Sequence, residues 1–217
     1  MSQMEYKDKS YKYYSNPRPE MQALCPTGVS KILDIGCGSG AMLKELKTKY
    51  GVEAWGVEFM EERAAIAKEH LDSVICKTAE NCIDDLPDAF FDVIYFNDVL
   101  EHLANPNQLL LQIKKKLVPG GKIISSIPNA RFHKVFGQYV FKKDWKYQKA
   151  GIMDFTHLRF FTSKSIQRMF VDAGYEVVQH KGINKTRSVM PYFYNILLFF
   201  TAGDMFYPQY ATISVKR

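Results

Sequence analysis

A glycine-rich turn between an apolar segment and a helical one constrains this chain more than any other feature. Residues 32 to 40 read ILDIGCGSG, so glycines stand at alternate positions directly after a short apolar run. Glycines let the backbone turn sharply and approach a ligand closely, and a helix that follows offers its N-terminal N–H groups. The segment therefore predicts a cofactor-binding turn at the carboxyl end of a buried parallel strand.

The rest of the chain alternates between apolar runs and segments of helical periodicity, which predicts an α/β fold. We place seven strands near residues 31–35, 54–58, 73–76, 91–97, 121–127, 175–181 and 211–215. Helices are expected over residues 41–50, 61–70, 106–117 and 163–173. The prediction is a seven-stranded, mostly parallel sheet with helices on both faces.

Length and composition predict a single domain over residues 1–217, with 47% hydrophobic residues available for a core. Residues 1–30 form an expected N-terminal cover arm. Two aromatic segments, 128–162 and 188–208, interrupt the alternation as acceptor-side insertions. The first is expected to form a lid or a substrate wall, and the second a helix packed on the sheet or over the pocket, with a membrane-surface element as the alternative. Within the first, the favoured interpretation makes four aromatic residues part of the core of a short helix: Phe132, Phe136, Tyr139 and Phe141.

Charge and cysteine content limit the classes of partner. The net charge of +6 comes from lysines that are spread along the chain without a nucleic-acid-binding motif, so a solvated basic surface is expected and no nucleic-acid partner. No apolar run reaches the length of a membrane span, so no stable membrane insertion is expected. The four cysteines form no C-x-x-C pair, and the start of the chain lacks a signal-peptide pattern; a cytoplasmic location follows as an expectation.

The glycine turn alone leaves three interpretations open: an ordinary strand-to-helix connection, a dinucleotide site or a different cofactor site. Gly36-x-Gly38-x-x-Ala41 with a downstream acid at Glu58 satisfies the dinucleotide pattern. However, Asp34 precedes the turn, Glu58 ends a second strand (AWGVE), and FNDVLEHL and LVPGG follow further along. Together these segments resemble class I S-adenosylmethionine-dependent methyltransferases, which implies a Rossmann-like methyltransferase sheet and S-adenosylmethionine as cofactor, with S-adenosylhomocysteine as product.

This resemblance assigns roles by position. It implies that Asp34 and the glycine backbone hold the methionine and ribose side of the cofactor, that Glu58 accepts the ribose hydroxyls and that Phe59 flanks the adenine. Arg18 offers a bidentate partner for the cofactor carboxylate. The expected cofactor-binding residues are Tyr14, Arg18, Asp34, Gly36, Cys37, Gly38, Gly40, Glu58, Phe59, Ala79, Glu80 and Asn97.

The acceptor side is marked by GIMDFTHLRFFT at residues 151–162, which resembles a bacterial subfamily associated with surface-polysaccharide and glycan biosynthesis. The implied reaction is methyl transfer to an oxygen of a sugar-like or other small acceptor, such as a nucleotide sugar or a glycan. His157 is the favoured general base, with His102 and Asp154 as further catalytic candidates. An equally weighted alternative is structural: an Asp154–Arg159 ion pair, with His157 capping the next helix.

Asp98-x-x-Glu101-His102 resembles the E-x-x-E-H arrangement that holds a divalent metal in some methyltransferases. The first acid is Asp here, and the favoured interpretation assigns no metal ligands. Two rival functions remain: a non-catalytic S-adenosylmethionine-binding protein, and a methyltransferase that acts on RNA or protein.

Overall fold

The computed structural model describes residues 15–216, which contain one seven-stranded sheet in the order β3-β2-β1-β4-β5-β7-β6. The first five of these strands run parallel, whereas β7 runs antiparallel to both of its neighbours. The strands are β1 Lys31–Ile35, β2 Glu53–Val57, β3 Ser73–Ile75, β4 Phe91–Asn97, β5 Leu117–Pro128, β6 Tyr175–Ile183 and β7 Gln209–Lys216. The predicted seven-stranded, mostly parallel sheet is confirmed.

Seven α-helices are described between residues 15 and 216. They are α1 Pro19–Gln22, α2 Ala41–Tyr50, α3 Glu61–Lys68, α4 Pro106–Ile113, α5 His133–Phe141, α6 Ser163–Asp172 and α7 Met190–Leu197. The helix predicted over 106–117 ends earlier, because a 3-10 turn at Lys114–Lys116 leads into β5. The ammonium group of Lys116 is buried there and lies 2.7 Å from Asp88, so this lysine anchors the helix end.

Residues of β1 alternate between two apolar clusters, which explains why the sheet needs helices on both faces. Leu33 and Ile35 belong to one cluster and Ile32 belongs to the other. Successive side chains of a strand point to opposite faces, so an almost wholly apolar strand is stable only when both faces are covered. Asp34 shares the face of Ile32, but it sits near the strand's carboxyl end, where the sheet opens to a cavity.

Both insertions are built at one end of the sheet. Helix α5 follows the carboxyl end of β5, and α7 precedes the start of β7, which pairs antiparallel with β5 through Pro128 and Gln209. The expectation that four aromatic residues of the first insertion form a core is half right: Phe132 is buried and Phe136 packs against a small cluster. It is wrong for Tyr139 and Phe141, which are exposed because α5 turns them outward.

No helix between residues 15 and 216 combines the length and the hydropathy that crossing a bilayer requires. The four cysteines are all unpaired.

Candidate functional site

A cavity of about 280 Å³ opens at the carboxyl ends of β1, β2 and β4, where parallel sheets bind their ligands. Ten of the twelve predicted cofactor-binding residues line it: Arg18, Asp34, Gly36, Cys37, Gly38, Glu58, Phe59, Ala79, Glu80 and Asn97. Gly40 lies behind the wall, where it begins α2. Tyr14 is outside the described residues.

The glycine turn is fixed by the end of β2. The N–H groups of Gly36 and Cys37 donate to the carbonyl oxygen of Val57 over 2.8 and 3.0 Å. Gly36 has a φ of 78°, and a Cβ at that position would lie only 2.6 Å from the side chain of Val99. A left-handed φ and a close approach both require glycine there, so the turn keeps its backbone against the cavity.

Glu58 links the turn to the start of the next helix. Its Oε2 accepts the Gly38 N–H over 2.9 Å, and its Oε1 accepts the Met60 N–H over the same distance. The side chain is buried, and this burial raises the pKa of the carboxyl group, against the effect of the backbone N–H donors. A carboxylate oxygen can accept more than one hydrogen bond, so both oxygens keep capacity for the hydroxyls of a ribose.

Asp34 is the second acid of the cavity and lies deeper. It is only 4% exposed, and burial raises its pKa to about 8 even though the charge of Arg18 acts in the opposite direction. The Asn97 amide approaches the carboxyl group at 3.5 Å. A buried carboxyl group that lacks a full cationic partner favours the arrival of a positively charged ligand, since pairing offsets its desolvation.

Sequence reasoning missed a polar network beside the cavity that is centred on Asp98. Arg18 donates to Asp98 Oδ2 over 2.6 Å and to Ser126 Oγ over 2.8 Å. Asp98 Oδ1 also accepts from Ser126 Oγ and from Gln209 Nε2, over 3.0 and 2.7 Å. Asp98 and Arg18 both have a left-handed backbone conformation, with φ of 55° and 52°. The only sequence signal was the position of Asp98 directly after β4.

Two histidines and one glutamate form a buried cluster against the cavity wall. His102 lines the cavity, and its Nδ1 lies 3.1 Å from the carbonyl oxygen of Thr156. His157 lies behind it, with Nδ1 2.9 Å from the Ile152 carbonyl oxygen and Nε2 3.9 Å from Glu101 Oε1. A carbonyl oxygen can only accept, so each Nδ1 carries the proton, and in the neutral rings Nε2 is the basic nitrogen.

The candidate metal trio of the sequence does not assemble, because Asp98 is held by Arg18. A different trio converges: the ligand atoms of Glu101, His102 and His157 all lie within 4.8 Å of one another. Two imidazoles and one carboxylate are a donor set that suits a divalent transition metal, and each ring has its Nδ1 anchored to a carbonyl oxygen. The cluster is thus chemically able to act as a base relay or as a metal site.

Asp154 and His157 do not line the cavity. Asp154 Oδ1 accepts from the N–H and the hydroxyl of Thr156 over 2.9 and 2.7 Å, so this acid shapes its own turn. Arg159 donates to the carbonyl oxygen of Ala104, and its N–H bonds to the carbonyl oxygen of Glu101. The next helix is capped by Thr162, not by His157 as the structural alternative expected.

Known proteins that are similar to this chain in sequence are methyltransferases. The family model for a methyltransferase domain matches residues 9–180. A ubiquinone biosynthesis O-methyltransferase of Idiomarina loihiensis is 36% identical over 105 residues, which cover 46% of this chain and 42% of that protein. One of Cereibacter sphaeroides is 29% identical over 170 residues, 76% of this chain and 67% of that protein. The chain thus spans about two fifths to two thirds of these relatives.

Solved structures share the fold. An S-adenosylmethionine-dependent methyltransferase from Archaeoglobus fulgidus superimposes with a TM-score of 0.66 at 21% identity, over 87% of each chain. A Thermotoga maritima protein described as a possible histamine N-methyltransferase gives 0.63 at 22% identity, over 94% of this chain and 89% of that one. The expected Rossmann-like methyltransferase fold is confirmed, and the family match together with the glycine turn confirms S-adenosylmethionine as the expected cofactor.

Proposed function

The chain belongs to the class I S-adenosylmethionine-dependent methyltransferases, and we propose that it methylates a hydroxyl oxygen of a small-molecule acceptor. The observation that carries this proposal is the position of His102. Its ring lies in the wall of the cavity that the glycine turn and Glu58 also line, and its Nδ1 is fixed by the Thr156 carbonyl oxygen. Oxygen methylation requires loss of the hydroxyl proton, and His102 is an imidazole in the wall of this cavity that can accept it.

The residues of the cavity suit the cofactor. Its sulfonium supplies an activated methyl group when it is bound. Asp34 offers a buried carboxyl group to the positive end of the ligand, and Glu58 offers two oxygens to a ribose diol. Arg18 keeps one N–H on each terminal nitrogen beyond those given to Asp98 and Ser126, which suits a carboxylate. The protein's contribution is mainly alignment.

The base assignment changes from the sequence expectation. The sequence favours His157, because it predicts that the His157 loop forms the acceptor wall. In the structure His102 is the ring that lines the cavity, and the centroids of the two rings are 4.6 Å apart. We therefore assign proton removal to His102. His157 and Glu101 act behind it, where the carboxylate stabilises positive charge as the imidazole pair gains a proton.

Two observations bear on the class of acceptor, and they favour different molecules. The GIMDFTHLRFFT segment favours a glycan or a nucleotide sugar, whereas the curated relatives are named for ubiquinone biosynthesis and none of those described above for glycans. We give first place to a hydroxyl on an aromatic ring. A phenol has a pKa of about 10, so a neutral imidazole removes its proton far more readily than that of a sugar hydroxyl.

Methyl transfer from labelled S-adenosylmethionine tests both parts. The acceptor panel contains a catechol acid, a simple phenol and several nucleotide sugars. We expect turnover with a phenolic acceptor, and a 10²- to 10⁴-fold lower kcat for His102→Ala, with cofactor affinity kept within about twofold. His157→Ala should lower kcat less than His102→Ala does. If His157→Ala were the more damaging of the two folded variants, the base would be His157, as the sequence suggested.

The rival functions give different results in the same assay. A non-catalytic binding protein would bind the cofactor without forming S-adenosylhomocysteine with any acceptor. An RNA or protein methyltransferase would label macromolecules and, for RNA, would lose affinity steeply with salt. We propose a cytoplasmic location, which agrees with four unpaired cysteines, and metal-free catalysis through the histidine cluster.

A further inference from the structure

Helix α7 exposes an apolar face that the proposed reaction does not use. Its inner face, with Pro191 and Tyr194, is buried against the small cluster that also contains Ala202 and Met205. Its outer face is apolar as well, and each of its large side chains is more than half exposed: Tyr192, Phe193, Ile196 and Leu197. A helix that is apolar on both faces is normally buried on both faces. The exposed outer face of α7 is therefore expected to contact a binding partner.

The turn after α7 presents two further phenylalanines outward. Phe199 and Phe200 are 87% and 75% exposed, and both have a left-handed backbone, with φ of 52° and 61°. Asn195 fixes this turn, since its carbonyl oxygen accepts the Phe200 N–H over 2.7 Å and its side chain accepts the Ala202 N–H over 2.8 Å. Bulky residues seldom adopt this conformation, so the structure holds two aromatic rings in solvent at a local cost.

Helix α5 packs beside α7 and carries exposed aromatic residues of its own. The ring of Phe141 stacks on that of Tyr194 at 5.5 Å, and Tyr139 contacts Trp145 at 5.8 Å. Every residue from 141 to 150 is exposed, and this segment reads FKKDWKYQKA, with four lysines against one aspartate. Aromatic side chains and lysines are thus interleaved in the segment that begins where α5 contacts α7.

We propose that α5, α7 and residues 141–150 form a docking surface for an anionic lipid bilayer. Aliphatic and aromatic side chains of α7 and its turn enter the headgroup boundary, Trp145 and Tyr147 lie at the interface, and the lysines pair with lipid phosphates. Charge selects this occupant over a second copy of the chain. A symmetric dimer would bring two lysine-rich segments together, whereas an anionic membrane complements them.

The surface is built on the strand ends that also form the cavity wall. Gln209 begins β7 directly after the second insertion, and its side chain donates to Asp98, which lines the cavity. Docking therefore turns the cavity side of the sheet toward the lipid. The contact is peripheral, in keeping with the lack of a membrane-spanning helix among residues 15–216. The proposal does not rest on the proposed acceptor.

Vesicle flotation tests the apolar part. The full chain is mixed with vesicles of phosphatidylcholine alone or of phosphatidylcholine with phosphatidylglycerol. We expect the original chain to float with the anionic vesicles. The double variant Phe199→Ser, Phe200→Ser should partition onto these vesicles at least about tenfold more weakly. Val171→Ser is the control, because Val171 is also an exposed apolar residue, 58% exposed on α6, and lies outside the surface. The control should bind as the original chain does.

A charge variant tests the second part without touching the apolar side chains. Replacing Lys142, Lys143 and Lys146 by Gln should abolish the preference for anionic vesicles, whereas replacing Lys68, Lys115 and Lys164 by Gln should not. Brominated lipid should quench the fluorescence of Trp145, and Trp145→Phe should remove that quenching. Equal flotation of all variants, or no flotation of the original chain, would overturn the proposal. So would a dimer in free solution that Phe199→Ser, Phe200→Ser converts to a monomer.

Discussion

Replacing Asp34 by Asn should stabilise the cofactor-free protein, although it removes a cofactor-binding group. The Asp34 carboxyl group is 4% exposed, and burial raises its pKa from 3.8 to about 8. In the unfolded chain the group ionises near its ordinary pKa. Between the two pKa values the folded state therefore binds one proton more than the unfolded state, and the free energy of unfolding falls as pH rises.

The magnitude follows from the difference between the two pKa values. Each pH unit between them lowers the free energy of unfolding by about 1.4 kcal/mol, so roughly 4 kcal/mol is lost by pH 7. Asn has nearly the same size and does not titrate. The stability advantage of Asp34→Asn over the original chain should thus be small near pH 4, grow toward pH 8 and level off above it.

Urea unfolding of both cofactor-free proteins across this pH range measures the effect. Asp72→Asn is a control of opposite sign, because hydrogen bonds from Ala54 N–H and Lys47 lower the pKa of Asp72 despite partial desolvation. The Asp72 carboxylate stabilises the folded state above the pKa that it has in the unfolded chain, and this stabilisation is lost as pH falls. Asp72→Asn should therefore lower the free energy of unfolding at neutral pH. Parallel stability curves for Asp34→Asn and the original chain would refute the reasoning.

Further predictions concern the turn and the histidine cluster. Gly36→Ala should lower the free energy of unfolding by about 1 to 3 kcal/mol more than Gly51→Ala, as measured by urea unfolding. Both glycines have a positive φ, but only at position 36 does the added Cβ meet a neighbour, the Val99 side chain at 2.6 Å; equal costs would contradict this. Chelator treatment should leave turnover intact, and elemental analysis should find no bound metal. Full dependence on an added divalent cation would make Glu101, His102 and His157 its ligands.

Local patterns predicted the sheet and ten of the residues that line the cavity. Asp34, Glu58 and Asn97 stand at or just after the ends of apolar strands, and parallel strands bring their carboxyl ends to one edge. Alternating glycines next to such an edge leave little freedom in where the cofactor binds. These residues depend only on strand order and on the chemistry of a tight turn.

The acceptor side of the cavity could not be predicted in the same way, because it is formed by contacts between residues far apart in the sequence. Arg18 meets Asp98 across 80 residues, and Gln209 meets Asp98 across 111, because β7 runs antiparallel beside β5. His102 and His157 meet because backbone N–H groups of the His157 loop donate to the carbonyl oxygen of Glu101, and His102 Nδ1 bonds to the carbonyl oxygen of Thr156 on the same loop. The exposure of Phe141 likewise depends on how α5 packs against α7, which its aromatic composition does not determine.

Calorimetric titration of the folded chain tests the central claim, that this cavity binds S-adenosylmethionine through Glu58. S-adenosylmethionine and S-adenosylhomocysteine should bind and NAD should not. Glu58→Ala should weaken binding by about 1.5 to 3 kcal/mol, the range for hydrogen bonds to a charged group, and Glu58→Gln, which keeps one acceptor oxygen, by less. Preferential binding of NAD, or unchanged affinity of a folded Glu58→Ala variant for S-adenosylmethionine, would contradict the account.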